Sequence, residues 1–249
     1  MNRSTTGRPT GRPTAVVSWS SGKDAAWALH EVRRRDEVEV VGLLTTVTAA
    51  FDRVSMHGVR RSVLELQAAA AGLPLLPVEI PYPCPNPVYE RAMARAVDRL
   101  RAEGVDRIVF GDLYLEDVRR YREERLRDTG IDPMFPLWGR PTAELAATMV
   151  AGGLRATLVA VDPRHLGREF AGRSFDRALL RDLPAGVDPC GENGEFHTCV
   201  TAGPMFDGPI PVTRGEVVER DSFVFADLVP SAPAADRETL DPTRAWRER

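Results

Sequence analysis

Apolar runs and helical stretches alternate in the first 112 residues of the chain, and this alternation most constrains its fold. The apolar runs cover 15–19, 38–47, 73–80 and 107–110, and the stretches with helical spacing between them cover 23–35, 59–71 and 87–103. Strands separated by helices in this way predict βαβ units, and therefore a parallel sheet with right-handed crossovers. Ligands of such sheets bind beyond the carboxyl ends of the strands. We therefore expect a site among the loops 20–24, 45–58 and 111–117.

The pattern becomes less regular beyond residue 140. Shorter apolar runs at 156–161, 196–200, 210–212 and 216–225 indicate the strands of a mixed sheet, with helices at 144–151 and 175–183. We therefore predict an α/β protein in which a parallel-sheet domain over 14–140 is followed by a second, smaller α+β domain over 141–228. The segment 1–13 has little that could be buried and predicts a disordered arm, and 229–249, rich in Pro, Ala and charge, predicts a loose tail.

Composition excludes several classes of function. The 33 basic and 36 acidic residues leave a formal net charge of −3, so no basic surface indicates a nucleic-acid partner. Three cysteines without a CxxC pair argue against a disulfide framework and a four-thiolate metal site. The sequence has no apolar run near the roughly 20 residues that span a bilayer, and its start lacks the apolar core of a secretory signal. We expect a cytoplasmic protein with no membrane partner.

The loop after the first strand contains the only lysine of the chain. Of the 33 basic residues, 32 are Arg and the single Lys stands at position 23, directly before the first helix. Ser20, Ser21 and Gly22 precede it, and such a small-residue loop leading into a helix presents free N–H groups and the positive end of the helix dipole to an anion. The loop is neither a Walker A motif nor the glycine-rich dinucleotide fingerprint, because the required glycines are absent.

Two motifs carry a resemblance to a known family. The loop S-S-G-K-D-A at 20–25 resembles the pyrophosphate-binding PP-loop, S-G-G-K-D-S, with Ser21 in place of the first Gly and Ala25 in place of the last Ser. The stretch G-E-N-G-E-F-H-T at 191–198 resembles the second signature of the diphthine–ammonia ligase family. The resemblance extends from residue 14 to about 228. His197 together with Asn193 is more similar to the bacterial branch, for which a different acid from diphthine is implied as substrate.

The resemblance implies a HUP-type Rossmann-like domain that binds ATP, and a second domain that presents the 191–198 motif to the acceptor. The implied reaction amidates a carboxylate with ammonia through an acyl-adenylate and releases AMP and pyrophosphate. The residues expected to bind ATP are Ser18, Ser20, Ser21, Gly22, Lys23, Asp24, His57, Gly111 and Asp112. Lys23 and Mg²⁺ would stabilise the leaving pyrophosphate. Asp24 is expected to cap the first helix or to reach Mg²⁺ through water, and Asp112 to bind the metal or the ribose.

The second motif is expected to handle the acceptor and ammonia. The residues predicted to bind substrate are Glu192, Asn193, Gly194, Glu195, His197 and Thr198. In an extended segment Glu195 and His197 point the same way, which suits a catalytic pair that orients the acceptor or takes a proton from ammonium. The implied partners are ammonia and a small-molecule or protein-bound carboxylate, and the oligomeric state is left open, with a homodimer as one option.

Two other functions remain open at this point. One is a tRNA-modifying PP-loop enzyme, against which the acidic net charge and the missing CxxC pair weigh. The other is a HUP-fold sensor that binds ATP without chemistry, which would not need the polar cluster at 192–197. Cys190, His197 and Cys199 fit no common zinc framework.

Overall fold

The computed structural model describes residues 11–231, and a six-stranded sheet forms its first half. The strands are β1 (Thr14–Ser18), β2 (Glu39–Thr48), β3 (Arg53–Val54), β4 (Leu75–Ile80), β5 (Arg107–Val109) and β6 (Asp132–Met134). β2 pairs in parallel with β1 and β4, β1 with β5, and β5 with β6, whereas the short β3 pairs antiparallel with the end of β2. The predicted parallel α/β fold is confirmed.

Helices connect the parallel strands and continue beyond the first sheet. They are α1 (Lys23–Arg35), α2 (Arg61–Ala70), α3 (Asn86–Ala102), α4 (Glu116–Leu126), α5 (Thr142–Ala151) and α6 (Arg177–Asp182), with a 3-10 turn at Arg168–Phe170. Alternation along β1 shows how both faces of the sheet are covered. Val16 belongs to a core cluster with Leu100 of α3, whereas Ala15 and Val17 face a second cluster that contains Leu29 of α1.

The second sheet differs from the expectation of a mixed sheet, because all of its pairings are antiparallel. Its strands are β7 (Arg155–Val161), β8 (Phe196–Ala202), β9 (Val212–Arg220) and β10 (Phe223–Pro230), in the order β8-β7-β10-β9. The single strand predicted over 216–225 is wrong, since the chain reverses at Asp221 and Ser222, where φ is 49° and 67°. Positive φ at both central residues is the geometry of the hairpin turn that matches strand twist.

The two sheets share one hydrophobic core. Val17 of β1 and Leu29 of α1 lie in the same cluster of buried side chains as Leu145 of α5, Val159 of β7 and Cys199 of β8. The carboxyl end of β1 is therefore covered by β8, and the loop that follows β1 is enclosed between the sheets. Across residues 11–231, every helix is too short or too polar to cross a membrane. The predicted arm and tail lie outside the described residues, except for 11–13 and 229–231.

Candidate active site

The loop between β1 and α1 is buried and held from two sides. Ser21 is fully buried, and its carbonyl oxygen accepts hydrogen bonds from Val200 N of β8 (2.9 Å) and from Gln67 Nε2 of α2 (3.2 Å). Its φ of 69° lies in the left-handed region, which explains why the PP-loop pattern has glycine at this position. Ser20 Oγ accepts a hydrogen bond from Gly22 N at 3.4 Å. The loop is therefore a fixed frame for the start of α1.

Lys23 is the first residue of α1 and one of the few buried charged residues. Its side chain is 3% exposed, and Nζ donates to Asp24 Oδ2 at 2.8 Å and to the carbonyl oxygen of Cys190. The rings of Phe175 and Phe196 have their centroids 5.8 Å and 5.5 Å from Nζ. Burial would lower the pKa of Lys23, but Asp24, Cys190 and Glu192 together outweigh burial and the pKa is raised. The lysine is thus a permanent cation in a narrow enclosure.

Asp24 does not cap α1, which corrects one of the two roles expected for it. The N-cap is Gly22, which has no side-chain cap, and one carboxylate oxygen of Asp24 accepts from Lys23 instead. The other oxygen, Oδ1, is buried and has no hydrogen-bond partner. Burial raises the pKa of Asp24 despite the neighbouring ammonium. Asp24 is the second residue of α1 and lies inside the helix, so its carboxylate forms a charge-assisted hydrogen bond with the adjacent ammonium and Gly22 occupies the cap position.

The end of β5 passes directly over the start of α1. A Cβ placed on Gly111 would lie 2.7 Å from the Asp24 carbonyl carbon and 2.8 Å from Ala25 N, so only glycine allows this approach. Asp112 follows, and its two carboxylate oxygens accept from Arg122 Nε at 2.6 Å and Nη2 at 3.0 Å. Arg122 in turn lies over the Phe110 ring, 4.4 Å from its centroid. Arg122 of α4 therefore fixes the Asp112 carboxylate.

Glu195 holds the 188–195 loop together. Its Oε1 accepts from Asp188 N at 2.9 Å and from Asn193 Nδ2 at 3.1 Å, and its Oε2 accepts from Asn193 N at 3.0 Å. Burial would raise the pKa of Glu195, but these hydrogen bonds outweigh it and the pKa is lowered. Gly194, with φ of 86°, completes the turn. Both oxygens of Glu195 therefore face its own loop.

Glu192 joins this loop to the segment after β5. Its Oε1 accepts from Leu113 N at 2.8 Å, and the neighbouring Asn193 accepts from the Tyr114 hydroxyl at 2.9 Å. Burial raises the pKa of Glu192 to about 7, and the carboxylates of Asp24 and Asp112 add to the rise. Asp24 therefore acts on the pKa of both Glu192 and Lys23, and these two residues act on each other.

Two histidines, one in the turn after β3 and one on β8, stack beside the loop. The rings of His57 and His197 have centroids 4.4 Å apart at 29°, and His57 Nδ1 lies 3.4 Å from the Thr198 carbonyl oxygen. A Cβ on Gly22 would lie 3.0 Å from His57 Cε1. Burial lowers the pKa of His57 well below its usual value and that of His197 to about 4, so both rings are neutral at pH 7. The strand pattern predicts that His197 and Glu195 point the same way. In the structure the His197 ring stacks on His57, and the Glu195 carboxylate is bound within its own loop.

Thr198 connects the second motif to the start of α1. Its hydroxyl accepts from Lys23 N at 3.1 Å, so β8 satisfies one of the N–H groups at the helix N-terminus. Ser18, the last residue of β1, precedes the loop on the same edge of the sheet. The predicted residues of the two motifs therefore meet at one place, where the carboxyl ends of β1 and β5 face β8.

A cavity of about 520 Å³ opens next to His197. Its apolar surface comes from the loops beside the first sheet, with Phe51, Met56 and Tyr82, and from the β9–β10 hairpin, with Phe223 and Phe225. Its charged groups include Asp227, which is bound by Arg53 at 2.9 Å and Arg60 at 2.5 Å. The sequence predicts that the 45–58 loop belongs to the site. It contains no local signal for the β9–β10 hairpin that lines the cavity, because the turn at 221–222 contains no glycine or asparagine.

The β1–α1 loop, residues 19–22, is called the anion loop below. The fold and this loop together define a Rossmann-like protein that has a buried lysine directly after the anion loop and a second sheet packed over it. The family model of the diphthamide synthase N-terminal domain matches residues 13–133, and that of the C-terminal domain matches residues 142–227. The chain therefore belongs to the diphthamide synthase family, whose curated members are named diphthine–ammonia ligase, as the two motifs predicted.

Curated relatives share about a third of the aligned residues. A diphthine–ammonia ligase of Schizosaccharomyces pombe is 32% identical over 133 residues, which are 51% of this chain and 22% of that protein. The Bos taurus ligase is 29% identical over 196 residues, 72% of each chain. The Danio rerio ligase is 31% identical over 133 residues, 50% of this chain and 51% of that protein. The chain thus spans between about a fifth and three quarters of the relatives it matches.

Proposed function

We propose that this protein is an ATP-dependent ligase that converts a carboxylate into an amide with ammonia. The acceptor carboxylate attacks the α-phosphate of ATP, an acyl-adenylate forms and pyrophosphate leaves; ammonia then displaces AMP. The observation that carries this proposal is the position of Lys23, buried at the N-terminus of α1 and held against the second motif by Thr198 and Cys190. The names of the relatives, diphthine–ammonia ligase, supply the reaction class.

The buried cation suits the first half-reaction. The Lys23 ammonium and the positive end of α1 stabilise the negative charge that grows on the leaving pyrophosphate. The loop needs no rearrangement of its backbone to do so, because Ser21 is already held by Val200 and Gln67. A preformed frame of this kind lowers the reorganisation cost of reaching the transition state.

Magnesium would accompany the nucleotide. Within residues 11–231 no group of three or more His, Cys, Asp or Glu side chains could hold a metal ion, and both oxygens of Asp112 are bound by Arg122. The donor set therefore fits an ion carried mainly by phosphate oxygens and water, which is how Mg²⁺ is commonly bound at such sites. When bound, it would neutralise charge on the triphosphate.

The acceptor would lie in the cavity beside His197. A cavity of about 520 Å³ falls in the size range of small-molecule sites. Its aromatic walls favour the carbon skeleton of an acceptor, whether a free acid or a protein side chain such as the diphthine of the relatives' name. His197 is the one residue of the second motif that lines it, and this ring stacks on His57 against Gly22, so an acceptor there approaches the anion loop. A Phe223→Ala variant should raise the acceptor concentration for half-maximal rate and leave that for ATP unchanged.

We place the reaction in the cytoplasm, with ammonia as nitrogen donor and a homodimer as the option to examine. The three cysteines Cys84, Cys190 and Cys199 are free, as expected in a reducing compartment. The acidic net charge of −3 disfavours a nucleic-acid acceptor.

Phosphorus NMR of Mg-ATP tests the proposal. The protein is incubated with ammonium chloride and either a small-molecule extract or a diphthine-bearing peptide, beside a Lys23→Ala control. Acceptor-dependent AMP and pyrophosphate that disappear in the control are the expected result. ADP and phosphate would contradict the adenylation step, and ATP that binds but stays intact with every acceptor would favour a sensor.

A further inference from the structure

Ammonia-dependent amidation needs a base, and the base expected from the sequence is already engaged. Ammonium is the main form of ammonia at neutral pH, and it has no lone pair for attack until it loses a proton. Glu195, one half of the predicted pair, directs both oxygens to N–H groups of Asp188 and Asn193. A carboxylate that accepts three hydrogen bonds from its own loop is a weak base and an anchor of that loop.

The stacked histidines are poorly suited to the same task. His57 and His197 are held face to face at 4.4 Å, and burial lowers the pKa of His197 to about 4. An imidazole with so low a pKa gains little by taking a proton from ammonium near neutral pH. Their neutral, apolar faces fit a wall that orients the acceptor.

Glu192 is the remaining acidic side chain of the second motif, and its charge and that of Lys23 act on each other. Its Oε1 accepts from Leu113 N, and no described residue donates a hydrogen bond to its Oε2. The charged and titratable groups that act on it come from three elements around the loop: Lys23 and Asp24 of α1, Asp112 and Tyr114 after β5, and Cys190 before it in its own loop.

We propose that Glu192 is the general base that takes a proton from ammonium before ammonia attacks the acyl-adenylate. The inference rests on the proposed function and assigns within it a role that the sequence had given to Glu195 and His197. Asp24 Oδ1 has no hydrogen-bond partner, and the Asp24 carboxylate acts on the pKa of Glu192. Together with Oε2 of Glu192, this oxygen favours a small cation beside the two carboxylates.

The step balances in atoms and charge. The Glu192 carboxylate accepts one proton from NH₄⁺ and becomes a carboxylic acid, which leaves NH₃ with a free lone pair. The nitrogen attacks the acyl carbon and forms the C–N bond, and the bond from that carbon to the AMP oxygen breaks, so that AMP leaves with the electron pair. The nitrogen of the adduct loses its surplus proton to solvent, and Glu192 returns its proton to solvent before the next turnover.

The electrostatics of the site support this role. Burial, with Asp24 and Asp112, raises the pKa of Glu192 to about 7. A base of that strength is ionised for about half of the time at neutral pH, yet strong enough to accept a proton. Lys23 acts on the pKa of Glu192, and its ammonium donates to the carbonyl oxygen of Cys190, two residues before Glu192, so the base lies beside the β1–α1 loop.

Hydroxylamine distinguishes a base from a structural residue. It is unprotonated at neutral pH and attacks acyl-adenylates without a base, whereas ammonium requires one. Glu192→Gln retains an oxygen for Leu113 N and removes the basicity, and Glu124→Gln, on the exposed face of α4, is the matched control. AMP formation is followed with each nucleophile, using the acceptor that is active in the NMR experiment, between pH 6 and pH 9.

We expect Glu192→Gln to lose at least about 100-fold of its ammonium-dependent rate and to keep its hydroxylamine-dependent rate within about threefold. Its residual ammonium-dependent rate should rise with pH, as the fraction of free ammonia does. Equal rates for Glu192→Gln and wild type with both nucleophiles would overturn the proposal that Glu192 is the base. An equal loss of rate with ammonium and with hydroxylamine would overturn it as well. Wild-type protein that forms no AMP with either nucleophile would instead overturn the proposed function, and this inference with it.

Discussion

At the scale of single residues, Lys23 occupies a place that only a narrow cation can fill. Its ammonium contacts Asp24 and the Cys190 carbonyl between two phenylalanine rings, and 3% of its side chain is exposed. A guanidinium is a wide planar fork, so it could not make both contacts there without moving Phe175 or Phe196. This is a physical reason why a chain with 32 arginines keeps one lysine.

Lys23→Arg should therefore resemble Lys23→Ala and not wild type. We expect both variants to lose AMP formation by roughly 10²-fold or more, the cost of removing one preorganised charge from a transition state. Lys23→Arg should also unfold at lower urea concentration, because the larger side chain overpacks the enclosure. Steady-state kinetics and urea titration check both points, and an arginine variant with more than a tenth of wild-type activity would contradict the steric argument.

The two histidines make stability depend on pH in a definite direction. His197 has a folded-state pKa of about 4 against an ordinary 6.5, so the unfolded chain takes up a proton first as pH falls. The stabilisation is therefore complete above about pH 6.5 and is lost progressively towards pH 4. Glu192, with its pKa raised from 4.5 to about 7, has the opposite sign: its contribution is present at low pH and is lost as pH rises towards 7.

Comparison of wild type with His197→Gln excludes Glu192, which both proteins contain, and reports on His197 together with its effect on the pKa of His57. Between pH 7.5 and pH 5.5 the free energy of unfolding of wild type should fall by roughly 1 kcal/mol more than that of the variant. Urea titrations at the two pH values measure the difference. If the two proteins lost the same free energy, His197 would titrate normally, and burial and Lys23 would not lower its pKa.

At the scale of elements, the approach of β5 to α1 places Asp112 near the anion loop. Gly111→Ala would put a Cβ within 2.8 Å of backbone atoms of Asp24 and Ala25. We expect the variant to lose about 1–3 kcal/mol of stability, as overpacking typically does, and at least about tenfold in AMP formation, because the start of α1 must shift. Gly208→Ala, with nothing within 4 Å of its added Cβ, is the control, and equal behaviour of the two variants would contradict this view.

How far the elements can be predicted depends on whether their signals are local. The strand–helix alternation of the first sheet is a local pattern, and it predicted β1, β2, β4 and β5 to within about two residues. The β9–β10 turn gives no such signal, since Asp221 and Ser222 adopt positive φ without glycine. The predicted roles in the site depend on contacts between distant residues, such as Arg122 with Asp112 or Glu192 with Leu113, which no spacing along the chain encodes.

At the scale of the whole molecule, the two sheets share a core and a polar bridge. The buried amide of Gln67 accepts from Trp19 Nε1 at 3.0 Å and donates to Ser21 O at 3.2 Å and to Val200 O at 2.7 Å. One side chain from α2 thus binds Trp19 directly after β1, Ser21 of the β1–α1 loop and Val200 of β8. The division at residue 140 stays a prediction about domains, but these contacts argue that the two parts are stable only in each other's presence.

We therefore expect a single unfolding transition for the whole chain. We also expect Gln67→Ala to lower the free energy of unfolding of both parts equally. The substitution removes the partner of the buried Trp19 N–H and the Gln67 hydrogen bonds to the carbonyl oxygens of Ser21 and Val200, of which Ser21 O still accepts from Val200 N. A buried polar group left without a partner costs about 1–3 kcal/mol before water enters. Tryptophan fluorescence reports on the first sheet, and hydrogen exchange of β7 and β10 amides reports on the second. Both measures should give the same free energy of unfolding and should fall together in the variant, because neither sheet can open without exposing the common core. Exchange from β7 and β10 that stays at wild-type rates in Gln67→Ala would show that the second sheet is independently stable, and the anion loop would then owe its rigidity to the first sheet alone.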